Sequence, residues 1–225
     1  MENKSQNTQQ DKQTGRTYGG ESAEERLARQ RRQFMDAGLE LFGTVGYRAT
    51  TVRMLCKQAG LTDRYFYKTF SDTEDLLAAV YTESLDQIQS GVIAAINASA
   101  SQQPAGDLIE AGLEAFFRAF ENARMARVCW LEVLGVSPRI DTLYTSRIQQ
   151  FADLLLDLGK SMLPDWRLSE TETRITGIAL IGAISQSALH WLLEDYCSSR
   201  ASLISANGRL IRGLIATLPR DGGDQ

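Results

Sequence analysis

The 225-residue chain is poor in the side chains that carry most enzymatic and metal chemistry. It has one histidine, His190, so no histidine metal cluster forms and no second imidazole shares proton transfer. No CxxC, GxSxG, HExxH, P-loop or GxGxxG pattern occurs. Three cysteines, Cys56, Cys129 and Cys197, are far apart and odd in number, which fits reduced thiols packed in helices, or redox sensors, better than a disulfide framework. Prolines number only four, so long helices are permitted. No run of 18 or more apolar residues exists and the N-terminus lacks the basic-then-apolar order of a signal peptide. These absences point to a cytoplasmic chain without a membrane span, a cofactor, a metal or an enzymatic activity.

What is present is ordinary in bulk and uneven in placement. Apolar residues make up 43% and charged residues 23%, the composition of a soluble globular protein. The net charge of −4 divides unequally: residues 24–70 hold nine Lys or Arg against five Asp or Glu, and residues 71–225 hold twelve against twenty. A basic head on an acidic body is the asymmetry expected when one end meets phosphate. Arg26, Arg29, Arg31 and Arg32 crowd the start of the first helix, either as DNA-backbone contacts or as a solvated face paired with Glu24 and Glu25. Residues 1–21 are rich in Gln, Asn, Thr and Gly and read as a disordered tail, with Lys4, Lys12 and Arg16 as weak candidates for a minor groove.

The stretch from Thr50 to Leu77 carries the most information. Thr51 is placed to cap a helix that runs to Gln58-Ala59, and Gly60 stands where a helix needs a left-handed residue to stop. Leu61 fills the corner. Thr62 is placed to cap a second helix from Asp63 to Phe70, with Phe66 and Phe70 facing inward and Asp63, Arg64, Tyr65, Tyr67, Lys68 and Thr69 left polar. Ser71 and Glu74 have capping-box spacing ahead of Leu76 and Leu77. Two helices at a sharp angle about a glycine turn describe a helix-turn-helix, whose second helix enters a DNA major groove.

From Arg31 to Leu77 the chain resembles the DNA-binding domain of TetR-family transcriptional regulators. The resemblance lies in Ala37, Leu41 and Phe42, then Gly46-Tyr47, Thr50-Thr51 and Val52-Arg53. It continues through Ala59-Gly60-Leu61-Thr62, Phe66-Tyr67, Phe70 and Glu74-Asp75-Leu76. It implies double-stranded operator DNA as partner, with Thr51 among the DNA contacts, Arg53 touching a base edge or phosphate from the helix before the turn, and Thr62, Asp63, Arg64 and Tyr65 facing bases. Arg suits guanine, and Asp accepts from cytosine or braces Arg64. Tyr67 and Lys68 grip phosphates. One departure stands out: many relatives place Lys where this chain has Thr73, which leaves a hydroxyl and a helix N-terminus for that phosphate.

The remainder reads as helices in series. Ser22–Glu25 and Ser169–Glu172 are capping boxes, and Ser137-Pro138 supplies a cap and a first-turn proline. Expected helices run from about 22 through a core stripe of Phe34, Ala37 or Gly38, Leu41, Phe42 and Val45; from Thr73 towards Ala98; and from Leu108 to Asn122. Others run from Met125 to Leu134, from Pro138 to Met162, from Ser169 to Tyr196, and from Ser198 or Ser199 to Leu218. Breaks fall at Pro104 and at Pro164-Asp165. The last two helices hold more apolar surface than one layer buries, which points to a four-helix interface with a second copy; TetR-like proteins use them so.

The expected fold is all-α: a tail at 1–21, a three-helix DNA-binding domain at 22–77, a helical effector-binding and dimerisation domain at 78–218, and a tail at 219–225. Phe116, Phe117, Phe120, Trp130, Tyr144, Phe151, His190 and Trp191 are candidate walls for a small hydrophobic ligand, with plain core packing the alternative for each. The function this implies is a homodimeric regulator, a repressor released from a palindromic operator by that ligand. The alternatives are a DNA-binding activator or architectural protein without an effector, and a protein-interaction or ligand-carrying body whose head no longer binds DNA.

Overall fold

A computed structural model describes residues 22–102, 107–162 and 167–218. The tails at 1–21 and 219–225, and the breaks at Pro104 and Pro164-Asp165, lie outside the described residues. Within them the chain is all-α, with nine α-helices and no strand. These are α1 (Ala23–Thr44), α2 (Val52–Ala59), α3 (Asp63–Thr69), α4 (Thr73–Ala100), α5 (Leu108–Phe120), α6 (Ala123–Arg127), α7 (Pro138–Met162), α8 (Glu170–Leu193) and α9 (Arg200–Thr217).

Most helix starts follow from local chemistry. Ser22 and Ser169 each close a reciprocal box with Glu25 and Glu172, so two otherwise orphaned donors are satisfied at α1 and at α8. Ser137 Oγ accepts from Ile140 N ahead of Pro138, and Ser199 Oγ accepts from Ser202 N. The start of α4 differs from the Ser71–Glu74 box: Asp72 is the cap, accepting from Asp75 N at 2.7 Å, while Ser71 N donates to Asp75 Oδ2. A carboxylate also answers the positive end of the helix, which a serine does not.

Other boundaries move for stated reasons. Asn122 leaves α5 to cap α6 through Met125 N. The helix expected from Met125 to Leu134 is α6 followed by a π-helical turn, Val128–Glu132. The helix expected to reach Tyr196 stops at Leu193, because Asp195 and Tyr196 take φ of 50° and 59° and the chain turns back. Trp191 Nε1 holds that turn by donating to Ser198 O at 2.7 Å. Val45, expected in the core stripe, ends α1 and stands exposed.

One apolar core runs through both ends of the molecule. Phe34, Phe42, Leu55 and Phe66 from α1–α3 share it with Leu76, Val80 and Tyr81 of α4, and with Val128, Val133 and Ile140 beyond. Each such side chain contributes about 1.5–3 kcal/mol on burial, so the head is fixed to α4 rather than tethered to it. At the closest point α1 meets α6 at Gly43, where a Cβ would lie 2.6 Å from Arg124 Cα. Glu132 adds a polar tie, its Oε2 accepting from Tyr47 N at 2.8 Å. A second cluster, built on Phe117, Phe120, Ala188 and Trp191, joins α5 to α8.

By length and composition α8 is apolar enough to cross a membrane, with a mean hydropathy of 1.3, although Thr, Ser, Gln and His interrupt its apolar run. It buries Gly177, Ile181, Ile184 and Ala188 while Ile175, Ile178 and Leu193 stay exposed.

Candidate DNA-binding face and effector cavity

The turn between α2 and α3 is set by its residues. Gly60 takes φ 66°, its N–H and that of Leu61 closing on Lys57 O and Cys56 O, and the left-handed conformation carries no Cβ penalty there. Leu61 packs on the core beside Phe66 and Phe70. Phe66 meets Phe34 edge-on at 5.2 Å, which locks α3 against α1.

With that face buried, the opposite residues of α3 point outward. Thr62, Asp63, Arg64, Tyr67 and Lys68 are exposed, as are Thr51 and Arg53 at the start of α2. Tyr67 is the most telling, 61% exposed and set edge-on to Phe66 at 5.4 Å. Tyr65 is half-buried, packed on the core, with Lys68 Nζ 5.8 Å from its ring centre. Thr73, also half-buried, is the first residue of α4. Thr51 caps α2 by accepting from Met54 N, whereas the Thr62 hydroxyl makes no capping bond; Asp63 Oδ1 accepts from Arg64 N at 2.8 Å instead.

The basic start of α1 is partly committed inside the fold. Arg31 lies over the Phe70 ring at 4.4 Å and donates to Thr69 O, and Arg32 pairs with Asp36 and Glu83. By contrast Arg53, Arg64 and Lys68 carry no ion pair among the described residues and are open to a phosphate or a base edge.

The body holds an apolar cavity of about 160 Å³ between α4, α5, α7, α8 and α9. Its wall on α4 extends from Tyr81 to Ile96, and on α7 from Tyr144 to Gly159. Fifteen residue steps of helix make each wall about 22 Å long, so the space is elongated. Four of the eight expected residues line it: Phe116, Trp130, Tyr144 and Phe151.

The other four do not. Phe117, Phe120 and Trp191 are buried in the second core cluster, where Phe117 and Trp191 stack edge-on at 6.0 Å. His190 points to solvent and pairs with Glu194 Oε1 at 3.0 Å. The cause is geometric: Phe117 lies on the arc of α5 turned away from the cavity, Phe120 lies one turn beyond Phe116, and His190 and Trp191 lie beyond Ser185, the last α8 residue in its wall.

Aromatic selection also missed the aliphatic lining, such as Leu85, Val92, Ile148 and Leu155, and one cation, Arg147. The signal for Arg147 was its place in the α7 stripe of Tyr144, Ile148, Phe151 and Leu155. Burial pushes the Tyr81 phenol and the Cys129 thiol well above their usual pKa values, so both stay protonated. Cys56 is buried as well, but Cys197 is exposed and outside a helix, contrary to the packing expected for all three.

Comparison with known proteins agrees with the head and the overall path of the chain. Residues 34–80 match the model for bacterial regulatory proteins of the tetR family. The HTH-type transcriptional activator FasR of Mycolicibacterium smegmatis is 24% identical over 207 residues, covering 91% of this chain and 92% of that one. The fatty acid degradation regulator FadR from Bacillus halodurans superposes with a TM-score of 0.66 at 20% identity, covering 85% of this chain and 97% of its own. FadR from Bacillus subtilis, solved in complex with stearoyl-CoA, gives 0.66 at 18% identity and covers 82% and 97%. The chain thus carries a head that matches the tetR-family model at residues 34–80, on an all-helical body with the fold of the solved FadR regulators.

Proposed function

We propose that the chain reads an inverted-repeat operator as a homodimer, and that a long apolar effector, acyl in character, sets its grip. The observation that carries this is the double duty of α4. Its first residue follows the recognition helix after a three-residue link, and its later residues Tyr81, Leu85, Val92 and Ile96 wall the cavity. A ligand that favours a different α4 position therefore moves α3. The stearoyl-CoA held by the Bacillus subtilis neighbour supports an acyl ligand for a cavity so long and apolar.

In this reading Arg53, Thr62, Asp63, Arg64 and Tyr65 address bases while Thr51, Tyr67, Lys68 and Thr73 hold the backbone. Dimerisation runs through α8 and α9, whose exposed Ile175, Ile178, Leu193 and Leu210 supply an apolar face. Two recognition helices then sit roughly 34 Å apart to enter successive major grooves. An effector that splays them shifts the population off DNA, and several kcal/mol of differential affinity suffice. Release on binding makes the protein a repressor. The activator reading is favoured by one observation, the FasR relative over nine-tenths of the chain.

Sedimentation of the full chain with a selected operator duplex tests this. A complex of two chains per duplex is expected, dissociating when stearoyl-CoA or stearate is added; Leu210→Glu should yield monomers with weak DNA binding. A monomer that binds the same operator equally well, or a complex indifferent to both lipids, would remove the reading. A reporter under that operator then separates repression from activation.

A further inference from the structure

The cavity wall carries few polar side chains, chiefly Tyr81, Tyr144, Arg147 and Ser185. Arg147 of α7 is the single charged side chain in its described wall, and that side chain is 14% exposed. Its Nη2 donates to Asp86 Oδ1 at 2.6 Å and to Thr82 O at 3.3 Å, and its Nη1 to Gln150 Oε1 at 3.0 Å. A guanidinium has five N–H donors, so these bonds leave two uncommitted. Tyr144 stands one helical turn before Arg147, and the buried Tyr81 phenol senses Tyr144, Cys129 and Arg147 as its charged or polar neighbours. Further along α4 and α7, Val92, Ile96 and Leu158 offer only hydrocarbon.

An arginine in such a wall is costly unless it has work there. Burying a guanidinium forfeits hydration that a partner must offset, and an apolar residue of similar size would serve a purely hydrophobic cavity better. Its present partner is a weak one: the Asp86 side chain is 54% exposed, where water screens the pair. A carboxylate arriving from inside the cavity would meet the same guanidinium in a drier setting and with bidentate geometry available.

We propose that the effector is a long-chain carboxylate whose head is taken by Arg147, with the Tyr81 and Tyr144 hydroxyls beside it, while its tail fills the hydrocarbon end. This rests on the effector reading above and narrows it from acyl compounds in general to the free acid. The incoming carboxylate displaces Asp86, and with it the tie between α7 and the helix that carries the recognition head. Ligand chemistry and α4 position are thereby linked through one exchange of partners.

Isothermal titration of the full chain with oleate, oleyl alcohol and oleoyl-CoA tests this in wild type, Arg147→Gln and Asp86→Asn. Wild type should bind oleate roughly tenfold or more tighter than the alcohol, as a charge-assisted bond requires. Arg147→Gln should erase that preference and leave alcohol binding unchanged. Asp86→Asn, which removes the competitor at an exposed position, should tighten oleate alone; it carries the test if Arg147→Gln does not fold by circular dichroism. Equal binding of acid and alcohol by wild type, a loss in Arg147→Gln shared by both, no gain in Asp86→Asn, or preference for oleoyl-CoA over oleate would overturn the carboxylate and leave an apolar effector standing. Binding of none of the three would remove the effector reading as well.

Discussion

Gly43→Ala asks whether the head is wedged against the body or only linked to it. In an unobstructed helix the change is favourable by about 1 kcal/mol, because Ala loses less backbone entropy than Gly. At Gly43 the new methyl would lie 2.6 Å from both Cα and Cβ of Arg124 and 2.8 Å from its carbonyl oxygen. Ordinary carbon contacts sit at about 3.5–4.0 Å, so α1 and α6 must part by roughly 1 Å against backbone that cannot rotate away. Overpacking of this kind costs about 1–3 kcal/mol, enough to outweigh the propensity gain.

The net expectation is destabilisation by about 1–2 kcal/mol, a fall in Tm of roughly 2–8 °C for a chain of this size. Gly91→Ala on exposed α4, where nothing lies within 4 Å, is the matched control and should stabilise by up to about 1 kcal/mol. Urea unfolding followed by circular dichroism measures both. If Gly43→Ala stabilises as much as Gly91→Ala does, the close approach of α1 and α6 is wrong.

Three further expectations concern single side chains. Lys68→Ala should weaken DNA binding across all sequences and flatten its salt slope by about one phosphate, Tyr67→Phe should weaken it uniformly, and Arg64→Ala should cost about 1–3 kcal/mol and relax preference at one base pair; an unchanged operator profile removes Arg64 from the base-reading set. A thiol reagent should modify Cys197 in the native protein and reach Cys56 and Cys129 only in denaturant, so three native thiols reacting alike would contradict the packing. Asp107 is held below the usual carboxylate range by the Glu110 backbone N–H it caps and by Arg212. Its folded pKa being depressed, the stability it adds is present above about pH 4 and is lost as pH falls through the lower folded value, so Asp107→Asn should flatten the acid limb of the stability curve.

How legible each part was depends on the range of the interaction that decides it. Caps at Ser22, Ser137 and Ser169, the turn at Gly60 and the inward Phe66 and Phe70 are settled within four residues, and the sequence carries them openly. Ser71 and Asp72 are both good caps side by side, and backbone geometry together with the carboxylate's charge at the helix start selects Asp72. The π-helical turn at Val128–Glu132 has no local signature, since it meets tertiary demands: it keeps Cys129 and Trp130 on the cavity while bringing Glu132 to Tyr47 N.

Cavity membership is decided further away still. Phe116 and Phe117 are neighbours in sequence, yet one lines the cavity and the other packs against Trp191, because helix crossing sets which arc of α5 each element covers. Arg147 was hidden for a related reason. A charge on an amphipathic helix reads as solvent-facing until the opposing helices are in place.

The most direct test of the central claim is selection of bound duplexes from a random DNA pool by the full-length protein, repeated at two salt concentrations. An inverted repeat with half-sites about one helical turn or slightly more apart is expected, with base preference surviving the higher salt. Recovery of no motif, with binding that only fades as salt rises, would contradict a dimeric sequence reader.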